Sequence, residues 1–136
     1  MFFFVFLFRS LALTCLVNPD EKQRIYFLSP NVASFNALSI GNKKSAIHPF
    51  IKTFSIHIIA ISTSWFRPTL TDHSIELPGF RIPFRRDHNE HGGGVCLYIA
   101  GQISGTRRTD LEYPNIKRLW VYPTSSRPLF IGCYYF

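Results

Sequence analysis

Two short apolar runs constrain the fold of this chain more than any other feature. Residues 56–62 read IHIIAIS, a nearly continuous apolar run rich in β-branched residues, which is typical of a strand covered on both faces. Residues 95–100 read VCLYIA and follow three consecutive glycines. That combination predicts a buried strand entered from a backbone that can take positive φ and approach another chain or ligand closely. Both runs therefore predict strands in the interior of a domain.

The segments around these runs complete an α/β pattern. Apolar residues at helical spacing between positions 47 and 54 predict a helix over residues 42–54. Pro49 disturbs this helix unless Ser45 is its cap, which would leave Pro49 in the first turn. Strand, helix, strand and then several strands indicate a layered α/β domain. The other predicted strands are residues 24–29, 32–35, 119–122 and 129–135, with a polar connection at residues 107–117.

The charge of the chain favours a polyanionic partner. Its 136 residues carry 15 Lys and Arg against 8 Asp and Glu, a net charge of +7, which suits nucleic acid or an acidic membrane surface. The alternative is a basic surface that binds nothing, since the positive residues come in small groups and no basic tract dominates. The side chains expected to contact phosphates are Arg85, Arg86, Arg107 and Arg108.

The three cysteines predict neither a disulfide scaffold nor a zinc site. Cys15, Cys96 and Cys133 are odd in number, form no C-x-x-C pair and lack histidines at zinc spacing. Cys96 and Cys133 lie inside apolar runs, where a thiol usually acts as a small buried hydrophobe. We therefore expect reduced cysteines in a reducing compartment, and an intracellular or nuclear location is favoured.

The first 23 residues are expected to lie outside the domain. Residues 2–8 and 11–17 are apolar, but Arg9 and Ser10 separate them. A transmembrane helix needs about 20 largely apolar residues, so no stable membrane span is predicted. A secretory signal peptide is the alternative, and it would make the chain a small secreted protein. The polar residues 18–23 mark a boundary, which divides the chain into a leader and linker (1–23) and a domain (24–136).

Four motifs resemble the endonuclease/exonuclease/phosphatase domain of non-LTR retrotransposons. They are NALSIGNK at residues 36–43, STSW at 62–65, LWV at 119–121 and GCYY at 132–135. The resemblance covers residues 32–135, about the first half of the family domain, and implies a partial layered β-sandwich of that type within the α/β class. The family's later GDFN and SDH motifs would lie beyond Phe136. The chain is therefore expected to be a truncated copy.

The resemblance assigns vestigial catalytic roles to Asn36 and Tyr135. In the family, an asparagine at the end of the first strand enters the metal and phosphate site, and Asn36 matches that position. Asn31 offers a competing register, and a lone asparagine is otherwise a turn or cap residue. A tyrosine delivered by the GCYY strand reaches the scissile phosphate in the family, and Tyr135 matches it. The alternative role for Tyr135 is packing at a strand end.

Thr63 occupies the position of the family's metal-binding glutamate. In the family motif, TETW or SETW, this glutamate binds the Mg²⁺ that supports cleavage of a DNA phosphodiester. A neutral hydroxyl does not replace an anionic oxygen ligand for a hard dication. The sequence thus predicts a degenerate endonuclease domain, ancestrally acting on DNA, that binds Mg²⁺ poorly and no longer cleaves. A basic remnant that binds nucleic acid without cleaving it is the alternative.

Two further expectations concern single residues in or near these motifs. Trp65 and Trp120 are expected to belong to the core, with their indole nitrogens hydrogen-bonded if buried. His57 stands where the resemblance has an aspartate, just before the isoleucines of the first apolar run. This departure adds to the expectation of a degenerate copy.

Overall fold

The structure is a computed structural model that describes residues 5–8, 30–36, 44–62, 64–87, 93–115, 117–124 and 130–135. For residues 5–8, 36, 117, 134 and 135 it describes the backbone alone. The strands are β1 (Val5–Phe8), β2 (Val32–Asn36), β3 (Ile58–Ser62), β4 (Phe84–Arg86), β5 (Val95–Ile99), β6 (Gly105–Arg107), β7 (Lys117–Pro123) and β8 (Ile131–Tyr135). The helix α1 spans Lys44–Phe54, and two 3₁₀ turns span Asp72–Ile75 and Thr109–Leu111.

The strands form two sheets. The larger has the order β1-β2-β3-β5-β4 and the smaller has the order β6-β7-β8. The β2 and β3 strands are parallel and α1 lies between them in the sequence, whereas every other recorded strand pair is antiparallel. The mixed content of two sheets and one helix in the described residues confirms the predicted α/β class.

The two apolar runs form the central strands of the larger sheet. β3 pairs antiparallel with β5 from Ile58–Ile99 through Ser62–Val95. All of β5 is buried, and β3 is buried up to its last residue. This burial confirms the expectation of interior strands covered on both faces, and it explains why neither run shows polar alternation.

Each face of the larger sheet packs against a different layer. On one face, Ile59 and Ile61 pack with Ile47 of α1 and with the apolar residues of the segment around the first 3₁₀ turn. On the other face, Ile58 and Ala60 pack with Leu119, Val121 and neighbouring residues of the smaller sheet. Because successive side chains of β3 point to opposite faces of the sheet, β3 contributes to two hydrophobic cores. The described chain is layered as helix, sheet and sheet.

Helix α1 tolerates a proline in its interior. Pro49 is the sixth of its eleven residues and is exposed, so the alternative in which Ser45 caps the helix and Pro49 lies in the first turn is wrong. Pro49 has no N–H to donate to the preceding turn. Ile47, on the opposite side, is buried in the core. Packing of that apolar face stabilises the helix despite the missing hydrogen bond.

Several elements differ from the sequence-based expectations. β4 and β6 are strands of three residues that no alternating pattern marks. β1 pairs antiparallel with β2, so part of the expected leader is a strand of the larger sheet. The expected strand at residues 24–29 lies outside the described residues. Among the residues that are described, no helix is long and apolar enough to cross a membrane.

Candidate functional site

One end of the larger sheet carries Asn36, one of the residues that the resemblance assigns to chemistry. Because β2 and β3 are parallel, their carboxyl ends meet at the same edge, where Asn36 lies in register with Ser62. Ser62 is in turn opposite Val95, and Val95 is opposite Arg86. A row of backbone positions therefore crosses four strands at this edge, which we call the carboxyl edge: Asn36, Ser62, Val95 and Arg86.

The structure describes one of the two site residues predicted at the ends of β2 and β3 through its backbone and does not describe the other. Thr63, the position of the family's glutamate, comes directly after Ser62 but lies outside the described residues. Asn36 is placed through its backbone, and its side chain is likewise outside the description. The register nevertheless puts the Asn36 backbone beside the strand that leads into Thr63.

Asn31, the competing candidate for the site asparagine, lies at the opposite end of β2. Its side-chain Nδ2 donates to the carbonyls of Phe54 and Ser55 at the end of α1, at 3.4 and 3.1 Å. Its backbone N–H donates to Nδ1 of His57 at 3.0 Å. These contacts make Asn31 a capping residue of α1, far along the strand from the carboxyl edge.

The glycines at positions 93 and 94 let the chain after β3 approach β5 closely. The N–H of Ser64 donates to the carbonyl of Gly94 at 3.1 Å, and the N–H of Trp65 donates to the carbonyl of Gly93 at 3.3 Å. Gly93 and Gly94 have φ of 89° and 91°, a region that glycine adopts without steric cost. The close approach expected of these glycines is therefore made to this chain's own backbone.

Residues 64 to 66 alternate sharply between burial and exposure. Ser64 and Phe66 are 1% and 2% exposed, while Trp65 between them is 44% exposed. The expectation that Trp65 belongs to the core is wrong, because a left-handed backbone at Trp65, with φ of 57°, turns the chain between its two buried neighbours. The Ser64 hydroxyl is buried and has no hydrogen-bond partner in the structure. No pattern in the sequence signals either feature.

Trp120, the other tryptophan, is half-buried on β7. It lies opposite Gly132 of β8, and a Cβ atom added to that glycine would come within 2.8 Å of the indole ring. The ring thus covers the neighbouring strand rather than entering the core between the sheets, where Leu119 and Val121 are fully buried.

The strand that carries Tyr135 packs against β3. The thiol of Cys133 donates to the carbonyl of Ile61 at 3.3 Å, which joins β8 to the residue just before Ser62. Tyr135 ends β8 opposite Lys117, and its side chain lies outside the description. Cys96 and Cys133 are free and buried, as expected, and burial raises the pKa of the Cys133 thiol to about 12.

Arg85 and Arg86 on β4 are engaged within the protein. Arg85, whose side chain is 19% exposed, lies 3.4 Å from Asp87 and 3.8 Å from Asp72, and its Nη2 donates to the Leu70 carbonyl. The Arg86 guanidinium donates to three backbone carbonyls that precede or begin β7, at 2.9 to 3.3 Å. Arg85 therefore connects β4 to the loop after Leu70, and Arg86 connects the larger sheet to the smaller one.

Arg107 and Arg108 each pair with a carboxylate of the segment that follows them. Arg107 makes a two-pronged contact with Glu112, with a closest distance of 2.8 Å. Arg108 binds both oxygens of Asp110 at 2.6 and 2.7 Å and lies over the Phe130 ring. The hydrogen bond from Arg108 lowers the pKa of Asp110. Burial alone would raise the pKa of Glu112, but hydrogen bonds from Arg107 and the Trp120 N–H outweigh it and lower that pKa.

In the described ranges, the carboxylates lie beside basic side chains and are not grouped as ligands for Mg²⁺. Each acidic residue in the described ranges lies beside a basic side chain: Asp72 and Asp87 beside Arg85, Glu76 beside His73, Asp110 beside Arg108, and Glu112 beside Arg107. Asp87 follows Arg86 at the β4 end of the row, roughly 14 Å from β2 at three strand spacings. No group of three or more His, Cys, Asp and Glu residues suited to a metal occurs in the described ranges.

The donors at the ends of β2 and β3 do not fit the ion that the resemblance implies. The side chains that the sequence supplies there are a threonine, two serines and an asparagine, which are neutral, whereas Mg²⁺ in proteins is held through carboxylates or phosphates. Comparison of the sequence with known protein families and with curated proteins finds no match.

Proposed function

We propose that this chain is the N-terminal part of an endonuclease/exonuclease/phosphatase-type domain related to those of non-LTR retrotransposons, and that it does not cleave DNA. One observation carries the proposal: Asn36 lies in register with Ser62 at the shared carboxyl ends of two parallel strands. Open α/β sheets bind their ligands outside such strand ends. Thr63 follows directly, where the resemblance requires glutamate.

The layered architecture gives further support. A parallel β2–β3 pair with a helix between them in sequence, and a second sheet packed on the opposite face, suit the partial β-sandwich that the resemblance implies. Cleavage of a phosphodiester needs an activated nucleophile and stabilisation of the developing charge. The neutral side chains at the ends of β2 and β3 supply neither, so we expect a domain that keeps the strand arrangement of the site and does not cleave.

The first test is nicking of supercoiled plasmid DNA in the presence of Mg²⁺. We expect the purified protein to convert no more plasmid to the open circular form than an Asn36→Ala variant does. Gel electrophoresis over a time course measures the conversion. Mg²⁺-dependent nicking by the wild-type protein that disappears in Asn36→Ala would overturn the proposal.

The second test restores the carboxylate that the resemblance requires. Replacing Thr63 with glutamate adds an anionic oxygen at the position where the resemblance has its metal-binding residue, and we expect Mn²⁺, used as a paramagnetic substitute for Mg²⁺, to bind about 10-fold or more tightly than it binds the wild type. Thr63→Gln is the matched control because it adds the same length without charge. Electron paramagnetic resonance of free Mn²⁺ measures both. Equal affinities for the two variants would place the metal site elsewhere and contradict the assignment.

A further inference from the structure

Trp65 combines two properties that rarely coincide. Its φ of 57° lies in the left-handed region, which is unfavourable for a bulky aromatic residue. Its side chain is 44% exposed, although the residues before and after it are almost completely buried. Large aromatic residues normally gain stability by burial, and this one is turned outward by its backbone instead.

The backbone at Trp65 is fixed by its surroundings. Hydrogen bonds of 3.1 and 3.3 Å tie Ser64 and Trp65 to the carbonyls of Gly94 and Gly93. The next residue, Phe66, is buried in the core that also contains Ile47 of α1. Because the backbone is anchored at both sides of this exposed ring, a planar ligand can stack on the ring without first ordering the backbone that carries it.

The location of the ring indicates the chemistry of that ligand. Trp65 follows the end of β3 at the carboxyl edge, and the chain as a whole carries a net charge of +7. A planar group attached to a polyanion is a nucleobase. In a duplex, both faces of a base are covered by its neighbours, whereas in a single strand they are accessible to an aromatic side chain.

We infer that Trp65 is a stacking platform for an unpaired base of single-stranded nucleic acid. The inference deepens the proposed function, because it takes the carboxyl edge to be the side that faces nucleic acid, but it requires no cleavage. Stacking on an indole ring is tolerant of base identity. Trp65 thus gives affinity for a strand without selecting its sequence.

Quenching of tryptophan fluorescence tests the inference directly. The chain contains two tryptophans, so a Trp120→Phe variant reports on Trp65 alone. Single-stranded oligothymidylate is expected to quench this emission at low salt, and an abasic oligonucleotide of equal length and charge is expected to quench it far less. Equal quenching by both strands, or none by either, would overturn the inference.

Two substitutions separate stacking from a purely structural role. Trp65→Gly removes the ring and suits the left-handed backbone, so we expect a folded protein that binds oligothymidylate about 5- to 150-fold more weakly, the change that corresponds to about 1–3 kcal/mol of stacking. Trp65→Phe keeps a ring and should retain most of the affinity. Fluorescence anisotropy with labelled oligothymidylate measures both variants, and circular dichroism reports their folding.

The outcomes also separate this inference from the proposed function. Unchanged affinity in a folded Trp65→Gly variant would overturn the stacking role. If that variant does not fold, the absence of quenching in the Trp120→Phe protein would overturn it instead. Metal-dependent nicking would overturn the proposed function while leaving the stacking result unaffected. Binding that Trp65→Gly loses and Trp65→Phe keeps supports the platform in either case.

Discussion

At the scale of single residues, Ser55 ends α1 with a conformation that glycine normally supplies. Its φ is 49°, and its N–H donates to the Lys52 carbonyl while the N–H of Ile56 donates to the Ile51 carbonyl. This pair of bonds is the Schellman motif, in which the left-handed residue follows the last helical one. A serine in that position bears the steric cost of its Cβ atom.

Ser55→Gly is therefore expected to stabilise the protein. Glycine relieves the left-handed strain but loses more backbone entropy on folding, so the net gain should be about 0.5–1 kcal/mol in the free energy of unfolding. Urea denaturation followed by circular dichroism measures the change. Ser55→Ala is the matched control, since alanine keeps the Cβ atom and should give no gain. Equal stability of the two variants would show that the backbone at position 55 is not strained.

At the scale of elements, one polar cluster joins α1 to the start of β2 and β3. Asn31 donates through its side chain to the end of α1 and through its backbone N–H to Nδ1 of His57. The backbone N–H groups of His57 and Ile58 donate back to the Asn31 carbonyl at 2.9 and 3.1 Å. The imidazole must be unprotonated at Nδ1 to accept, so the junction depends on neutral His57.

This junction is expected to make the stability of the protein depend on pH. Burial lowers the pKa of His57 below its ordinary value of 6.5, so the unfolded chain takes up a proton at higher pH than the folded chain does. The stability that the neutral imidazole contributes is complete above about pH 6.5 and is lost as the pH falls through the lowered folded value. Urea denaturation at pH 7.5 and 5.5 should show this loss in the wild type.

His57→Asn is the control for that pH dependence. The asparagine carbonyl occupies the place of Nδ1 and accepts the same hydrogen bond, but it does not titrate. We expect a smaller difference in stability between pH 7.5 and 5.5 than in the wild type. An identical difference in both proteins would assign the effect to other groups. Asp110 and Glu112, whose pKa values are lowered, act at more acidic pH.

At the scale of the whole molecule, two kinds of contact hold the sheets together. Arginines cross between them at one side: Arg86 of the larger sheet donates to carbonyls before β7, and Arg107 of the smaller sheet donates to the carbonyl of Arg85. Apolar side chains fill the space between the sheets. The sheets pack closely at Gly105, where an added Cβ atom would lie 2.5 Å from Cδ1 of Ile99 in the larger sheet and 3.2 Å from Cγ1 of Val121 in its own sheet.

Gly105→Ala should therefore weaken the packing of the two sheets. Ile99 and Val121 are almost fully buried and have little room to move, so we expect a loss of about 1–3 kcal/mol in the free energy of unfolding. Gly101→Ala is the matched control, because its new Cβ atom would meet only the Gly79 carbonyl at 3.5 Å; its effect should stay within about 0.5 kcal/mol. Thermal or urea unfolding that shows equal effects would contradict this account of the interface.

The buried strands, the helix and the α/β class could be predicted from the residues alone, because continuous apolar runs and helical spacing report local burial directly. The motifs that lead into and follow the carboxyl edge, at residues 36–43 and 62–65, were also identified from the sequence. The internal partners of the arginines and the exposure of Trp65 could be known only from the folded chain. Arg85, Arg86, Arg107 and Arg108 are predicted phosphate ligands from the sequence, and the fold also gives each of them carboxylate or carbonyl partners within the protein. The backbone of Trp65 is held by a hydrogen bond to one of the two glycines that precede β5, a long-range contact that no local pattern encodes.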